Sequence, residues 1–113
     1  MRIITGIYKG RHFEIPRTFK ARPTTDFAKE NIFNVLRGYL DFDGIAALDR
    51  FAGTGSISLE LLSRGCQQVV SVEADRDHAR FIRQCIDKIG ADNHTLVQGD
   101  VFRFVKGSHQ QFQ

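Results

Sequence analysis

A glycine-rich segment and a later acid form the pattern with the clearest chemical meaning in this chain. Residues 49–56 read Asp-Arg-Phe-Ala-Gly-Thr-Gly-Ser, and Glu73 follows Gly55 by eighteen positions. Glycines permit a tight turn and a close approach of the backbone to a ligand. An acid about 20 residues after such a turn is typical of carboxylates that bind ribose hydroxyls in βαβ units. The two features predict a nucleoside-binding turn between a strand and a helix.

The charge of this turn favours a cationic ligand. Gly-x-Gly alone is a weak signal, and the dinucleotide fingerprint has a further Gly or Ala where this chain has Ser58. Asp49 lies four residues ahead of Gly53 and would repel a pyrophosphate held by the same turn. S-adenosylmethionine carries an ammonium, a sulfonium and one carboxylate, which an acid and a helix amino terminus can bind separately. The sequence therefore favours S-adenosylmethionine over a dinucleotide.

The elements that must position these groups alternate between strand and helix. Three short apolar runs predict buried strands, at residues 45–48, 69–72 and 95–97. Two longer segments carry apolar side chains at helical spacing: residues 57–64, followed by Gly65, and residues 76–89, followed by Gly90. This alternation predicts an α/β fold, the amino-terminal half of a Rossmann-like domain with parallel strands in the order 3-2-1.

A complete doubly wound domain continues on the far side of its first strand. We therefore expect this chain to be a fragment whose first strand is either unpaired at one edge or covered there by the amino-terminal hairpin, a neighbour or further polypeptide. An exposed edge would favour association with a second copy of the chain.

The first 24 residues predict a small hairpin and a linker. Residues 3–4 and 12–15 have the character of short strands around a glycine-bounded turn. After the linker, residues 24–26 offer capping oxygens for a helix. We expect the apolar stripe of that helix to pack against the core; it consists of Ala28, Ile32, Val35, Leu36 and Tyr39.

Positive charge is concentrated at the amino end. Residues 1–29 hold seven Lys or Arg against two acids, whereas the rest of the chain holds nine against eleven. Aromatic residues lie among these bases, as in surfaces that contact nucleic acids. We expect an RNA-binding surface that contacts phosphates; the alternative is a solvated face. Its candidate residues are Arg2, Lys9, Arg11, Arg17 and Lys20.

Composition sets limits on the remaining possibilities. A hydrophobic content of 42% and a charged content of 26% are ordinary for one folded domain. We find no apolar run of membrane-spanning length and no export signal, so we expect a cytoplasmic protein without a membrane partner. The two cysteines and four histidines lack the spacing of metal ligands, and no metal site is expected.

Several segments together resemble one known family. They are Arg2-Ile3-Ile4-x-Gly6-x-Tyr8-Lys9-Gly10-Arg11, Arg22-Pro23-Thr24-Thr25-Asp26, Phe33-Asn34-Val35-Leu36, Asp49-x-Phe51-Ala52-Gly53-Thr54-Gly55 and Ser63-Arg64-Gly65. This combination resembles the bacterial guanine-N2 methyltransferases of small-subunit ribosomal RNA, the RsmD type. The resemblance extends over residues 1–104, nearly the whole chain.

The resemblance implies a class I methyltransferase fold, S-adenosylmethionine as the cofactor, and ribosomal RNA or the small-subunit particle as the partner. It implies that the glycine turn holds the methionine part of the cofactor, that Glu73 binds the ribose, and that Asp100 faces the adenine amino group. The segment at residues 22–25 would close over the cofactor. The expected cofactor contacts are Arg22, Thr24, Thr25, Asp49, Phe51, Ala52, Gly53, Thr54, Gly55, Glu73, Asp100 and Val101.

The chain departs from the family pattern in two places. Arg50 stands where relatives generally carry an apolar residue; we expect it to project away from Asp49, either paired with an acid or on an exposed face. The catalytic Asp/Asn-Pro-Pro-Tyr/Phe motif has no match, since the only prolines are Pro16 and Pro23. We therefore assign no catalytic residue.

These observations give two expected parts. Residues 1–24 form an RNA-contacting hairpin and linker, and residues 25–113 form the cofactor-binding half, truncated before the catalytic motif. The intact protein would methylate the exocyclic N2 of a guanine, whereas this chain alone would be inactive. Two alternatives stay open: a DNA adenine-N6 methyltransferase with the same cofactor turn, and a noncatalytic module that binds RNA or cofactor.

Overall fold

The computed structural model describes residues 1–19, 24–38, 41–50 and 52–99. These residues form six elements, in the order α1 (Asp26–Arg37), β1 (Ala46–Asp49), α2 (Ser56–Ser63), β2 (Gln68–Glu73), α3 (Arg76–Ile89) and β3 (His94–Gln98). The first strand begins one residue later than predicted, and the third is longer by one residue at each end. Predictions that concern Lys20, Arg22, Tyr39, Phe51, Asp100 and Val101 lie outside the described residues.

The three strands form one parallel sheet in the order β1-β2-β3, which is the 3-2-1 order predicted from the sequence. In the register of this sheet, Asp49 pairs with Ser71, and Glu73 pairs with Gln98. Side chains alternate between the two faces of a strand, so these four residues share one face near the carboxyl edge. Helix α2 packs on β1 and β2, and α3 packs on β2 and β3.

The helix predicted at residues 76–89 forms with the predicted bounds. Its apolar face, Ala79, Ile82, Ile86 and Ile89, is buried. Asp75 caps its amino end by accepting hydrogen bonds from two backbone N–H groups of the first turn, and Gly90 ends it at φ 72°. Within the described residues, no helix is long and apolar enough to cross a membrane.

Helix α1 is capped by Thr25 as predicted, but it buries a different face. Lys29 and Phe33 are its buried residues, whereas Ile32 and Val35 of the predicted stripe are 44% and 62% exposed. The prediction that the apolar stripe packs against the core holds for Leu36 but not for Ile32 or Val35. The reason is electrostatic: Lys29 extends inward to a buried carboxylate, an interaction that apolar periodicity does not report.

The amino-terminal segment forms a hairpin closed by a single antiparallel bridge between Arg2 and His12. Regular strands at residues 3–4 and 12–15 do not form. The backbone N–H groups of Ile4 and Thr5 donate to the carboxylate of Glu60 at 2.8 and 3.0 Å. The hairpin is thus held both by its own backbone hydrogen bonds and by α2.

Apolar packing also joins the hairpin to the rest of the fold. Ile3 and Phe13 are 1% and 5% exposed and belong to the same hydrophobic cluster as Leu59 and Leu62 of α2. The hairpin and the βαβ elements therefore share one core.

Candidate cofactor-binding site

The glycine-rich turn lies between β1 and α2, at the carboxyl edge of the sheet. Gly53 and Gly55 have φ values of 56° and 82°, in the left-handed region where other residues are strained. A Cβ atom on Gly55 would lie 3.0 Å from Cγ1 of Ile82 on α3. Position 55 therefore requires glycine both for its backbone conformation and for the close approach of α3.

Glu73 connects the end of β2 to this turn. Its Oε1 accepts a hydrogen bond from Gly53 N at 2.7 Å, and its Oε2 accepts one from Asp75 N at 2.9 Å. A carboxylate has about four acceptor positions, so about two remain for further donors such as ribose hydroxyls. The structure thus brings together the glycine turn and the acid that the spacing predicted to serve one ligand.

An aromatic residue of the linker packs close to the same acid. Nδ1 of His78 lies 3.7 Å from Oε2 of Glu73. The ring of Phe19 stacks at a tilt on His78, with ring centroids 4.6 Å apart, and meets Phe81 edge-on at 5.4 Å. Sequence reasoning assigned no role to Phe19 or His78. The available signals were an aromatic residue late in the basic segment and a histidine five residues after the acid.

A chain of buried hydrogen bonds begins at Asp49. Ser58 Oγ donates to Asp49 Oδ2 at 2.7 Å, Ser58 and Ser71 share a 2.6 Å hydrogen bond, and Ser71 Oγ lies 2.7 Å from His94 Nε2. Each hydroxyl has one hydrogen. Because Ser58 donates to Asp49, Ser71 must donate to Ser58, and Ser71 must then accept from His94 Nε2–H. The hydrogen bonds of this polar chain are therefore all donated in one direction, from His94 toward Asp49.

This polar chain explains why residue 58 is a serine instead of the Gly or Ala of dinucleotide sites. Ser58 and Ser71 are fully buried, and each both donates and accepts a hydrogen bond within this polar chain. Burial, together with the positive charge of Arg83, lowers the pKa of His94 to about 4. His94 is therefore neutral near pH 7, and the single ring proton lies on Nε2, from which it is donated to Ser71.

One buried polar atom beside the turn has no partner. Ser56 is 3% exposed, and its Oγ lacks a hydrogen bond within the described part of the chain. An unpaired buried hydroxyl costs about 1–3 kcal/mol, so such atoms commonly mark a ligand or an ion. With the unused acceptor positions of Glu73 and the acidic side chain of Asp49, the donor set fits a ligand that carries both hydroxyls and a cation. S-adenosylmethionine has this chemistry.

The other predicted cofactor residues have varied surroundings. Ala52 and Thr54 are buried within the turn. The Thr25 hydroxyl accepts from Ala28 N in its own helix, and no hydrogen bond among the described residues joins Thr24 or Thr25 to the turn. Arg50 is exposed, which is the second of the two placements expected for it.

The basic residues of the amino-terminal segment divide into two kinds. Arg2 Nε lies 3.7 Å from Asp26 Oδ2, and Arg11 donates to the carbonyl oxygen of Lys88 at the end of α3, at 2.7 Å. Lys9 and Arg17 are exposed. Two of the predicted RNA contacts therefore also hold parts of the fold together.

A buried ion cluster stands apart from the glycine turn. Glu60 accepts from Arg64 Nε at 2.9 Å and lies 3.4 Å from Lys29 Nζ, and the three side chains are at most 6% exposed. Lys29 Nζ also donates to the carbonyl oxygen of Arg2. Burial lowers the pKa of Lys29, and the carboxylate of Glu60 opposes that shift.

Sequence analysis missed this cluster entirely. Its one local signal is the i,i+4 spacing of Glu60 and Arg64, which is common on solvated helices. The Arg64 guanidinium also lies 4.5 Å from the ring centroid of Phe33. These contacts fix the hairpin, α1 and α2 to one another.

Neither metal nor thiol chemistry finds support in the described ranges. They contain no group of three or more His, Cys, Asp or Glu side chains able to hold a metal ion. Cys66 and Cys85 are free and buried, and burial raises the pKa of their thiols to about 11 and about 12.

Comparison with known proteins places this fold and site in a family. The family described as "Conserved hypothetical protein 95", the RsmD family, matches residues 1–113. The chain belongs to the RsmD family. The resemblance predicted from the sequence motifs is confirmed, and so is the fold class, an α/β fold of parallel strands with flanking helices like that of class I methyltransferases.

Individual relatives agree with this membership. The ribosomal RNA small subunit methyltransferase D of Haemophilus influenzae is 31% identical over 113 residues, which cover 98% of this chain and 58% of the relative. A hypothetical protein of Thermus thermophilus superposes with a TM-score of 0.81 at 29% identity, covering 94% of this chain and 59% of that one.

A second solved structure gives the same result. The Escherichia coli protein yhhF, which carries a methyltransferase assignment, superposes with a TM-score of 0.78 at 30% identity over 93% of this chain and 55% of its own. The chain spans 52–58% of the length of three of the curated relatives it matches.

Proposed function

We propose that this chain is the cofactor-binding half of an S-adenosylmethionine-dependent methyltransferase of ribosomal RNA. The observation that carries the proposal is the hydrogen bond from Gly53 to Glu73, which joins the glycine turn to the acid at the end of β2. The names of the Haemophilus influenzae and Escherichia coli relatives support a small-subunit ribosomal RNA substrate. They favour RNA over the DNA adenine alternative.

Each part of the turn would meet a different part of the cofactor. Glu73 would accept from the ribose hydroxyls, Asp49 would attract the ammonium, and the N–H groups at the start of α2 would bind the carboxylate. Asp100 would meet the adenine amino group. The cofactor, when bound, supplies a methyl group on a sulfonium. For its transfer the protein mainly has to align the reactants and exclude water.

Phe19 supports closure of the linker over this site. Its contact with His78 holds the end of the amino-terminal segment beside Glu73. The segment at residues 22–25 begins three residues later. We propose that this segment, which begins with Arg22, completes the cofactor pocket.

The proposal also covers the methyl acceptor and the separate functions of two parts of the chain. The methyl acceptor would be the exocyclic N2 of a guanine in 16S ribosomal RNA, as in the RsmD-type enzymes that the motifs resemble. Residues 1–24 would contact RNA, and residues 25–113 would hold the cofactor. The Asp/Asn-Pro-Pro-Tyr/Phe motif does not occur in these 113 residues, so we expect them to be inactive alone. A cytoplasmic location follows from a ribosomal substrate.

The free edge of β1 supports one further expectation. Among the described strands, β1 pairs with β2 alone, and an unpaired edge favours addition of another strand. We propose that the 113-residue chain self-associates through this edge. Light scattering that shows a monomer at high concentration would contradict it.

Calorimetric titration of the chain with S-adenosylmethionine, S-adenosylhomocysteine and NAD tests the proposed cofactor. We expect the first two to bind and NAD to give no signal. Selective binding of NAD would refute the proposal, because it would make the turn a dinucleotide site.

A further inference from the structure

A cavity outside the proposed cofactor site lies between α3 and β3. Its volume is about 340 Å³, and its lining consists of Arg76, Ala79, Arg80, Arg83, Leu96 and Gln98. None of these residues belongs to the predicted cofactor contacts or to the basic amino-terminal segment. Three of the six are arginines on one helix, which gives the cavity a positive rim.

The arginines are spaced so that they follow one side of α3. Positions 76, 80 and 83 are separated by four and three residues, which places them on one helical face. With a rise of 1.5 Å per residue, Arg80 and Arg83 lie about 6 Å and about 10 Å from Arg76 along the axis. They form a row of positive charges along the groove.

These charges are not neutralised within the described residues. All three arginines are exposed, and none takes part in the ion pairs found there. Asp87 continues the same helical side one turn beyond Arg83, yet it forms no ion pair with it. Guanidinium groups bind phosphates in a bidentate manner and stack on bases.

The floor of the cavity is less polar than its rim. Ala79 of α3 and Leu96 of β3 provide apolar surface, and Gln98 provides a hydrogen-bonding group at the carboxyl end. A positive groove with surface on which bases can stack is typical of proteins that bind single-stranded nucleic acid. We propose that this groove binds the phosphates and bases of a single-stranded segment of RNA.

The position of the groove connects it to both parts of the proposed site. Gln98 pairs with Glu73 in the sheet register, so the groove opens at the carboxyl edge beside the cofactor acid. At the other end of α3, Arg11 of the hairpin binds the Lys88 carbonyl oxygen, about 7 Å along the axis from Arg83. The basic amino-terminal segment therefore contacts the same helix that carries the arginines of the groove. The choice of RNA as the ligand rests on the proposed function.

A pair of charge-matched double variants tests the groove. The first is Arg80→Gln with Arg83→Gln, and the control is Arg37→Gln with Arg50→Gln, two exposed arginines outside the cavity. Binding of a labelled single-stranded ribosomal RNA segment is measured by fluorescence anisotropy at several salt concentrations. Thermal unfolding of both variants, together with titration of the groove variant with S-adenosylmethionine, shows that the fold and the cofactor site are intact.

We expect the groove variant to bind RNA about ten-fold more weakly and its salt dependence, the slope of log K against log salt, to fall by about 1.4. The control should stay within about two-fold of the parent chain. Equal losses in both variants, or no loss in the first, would overturn the groove proposal while leaving cofactor binding untouched. A parent chain that binds S-adenosylmethionine but no RNA would overturn both the groove and the RNA substrate.

Discussion

Glu60 and Glu73 are two carboxylates that each bind backbone N–H groups of a distant segment, but their surroundings differ. Glu60 is fully buried. It accepts hydrogen bonds from two backbone N–H groups and also forms ion pairs with Arg64 and Lys29. Glu73 is 12% exposed, binds two backbone N–H groups, and forms no ion pair with Lys or Arg among the described residues. A carboxylate whose acceptor positions are filled holds the fold together, whereas one with positions left over can bind a ligand.

The regions around the two acids also differ. The region around Glu60 joins the hairpin to α1 and α2, and its charged side chains are buried and paired with one another. The region around Glu73 contains left-handed glycines and the unpaired Ser56 hydroxyl. Substitutions should therefore affect stability at the first region and ligand binding at the second.

The largest expected effect is on stability, at Glu60. Glu60→Gln removes the carboxylate charge and leaves Lys29 buried without a counterion, which should lower the free energy of unfolding by about 3–5 kcal/mol. Urea denaturation of the variant measures this change. The matched control is Glu30→Gln on the exposed side of α1, which should change the free energy by at most about 0.5 kcal/mol. A loss below about 1 kcal/mol for Glu60→Gln would show that the cluster is not what fixes the hairpin.

A smaller effect is expected at Gly55, and a second glycine separates its two causes. Gly90 has a similar φ of 72°, and a Cβ there would meet nothing within 4 Å, so Gly90→Ala reports backbone strain alone. Gly55→Ala adds the 3.0 Å contact with Ile82. We expect Gly90→Ala to destabilise by about 1 kcal/mol and Gly55→Ala by about 2 kcal/mol.

Only Gly55→Ala should also weaken S-adenosylmethionine binding, as measured by calorimetry, because only Gly55 lies in the turn. If both variants bind the cofactor as the parent chain does, the turn does not form the proposed site.

A further effect, on the pH dependence of stability, concerns the polar chain that ends at Asp49. The pKa of His94 is about 4 in the folded chain, against an ordinary value of 6.5. Between those values the unfolded chain binds a proton that the folded chain does not, so stability should fall as pH drops from 6.5 to 4. Thermal unfolding across this window measures the fall. His94→Gln should flatten the profile, whereas His12→Gln, at an exposed position, should leave it unchanged; identical profiles for the two variants would remove His94 as the cause.

The same contrast explains which parts of the molecule could be predicted from the sequence. Apolar runs and glycine caps are local signals, and the interval between Gly55 and Glu73 follows known βαβ geometry. The 3-2-1 sheet, α3 and the contact between the glycine turn and Glu73 could therefore be predicted. Arg50 was expected to project away from Asp49, and it is exposed.

The parts that could not be predicted depend on pairs of residues far apart in the chain. Lys29 lies inside because of Glu60, thirty-one positions later, and apolar spacing instead favoured a stripe that includes the exposed Val35. The contact of the hairpin with α2 is equally remote in sequence, since Ile4 N and Thr5 N donate to Glu60 more than fifty positions later. From the sequence, Ser58 could be recognised only as a departure from the Gly or Ala of dinucleotide sites. Ser71 and His94, which complete its chain of hydrogen bonds, are close to it only in the folded structure.

The claim that Glu73 is the ligand-binding carboxylate can be tested most directly by calorimetric titration of S-adenosylmethionine into the parent chain, Glu73→Gln and the Glu30→Gln control. Glu73→Gln should weaken binding by about 1–3 kcal/mol while the control matches the parent, because only Glu73 has acceptor positions for the ribose hydroxyls. Unfolding measurements should show Glu73→Gln still folded. Unchanged affinity in a folded Glu73→Gln chain would contradict the account.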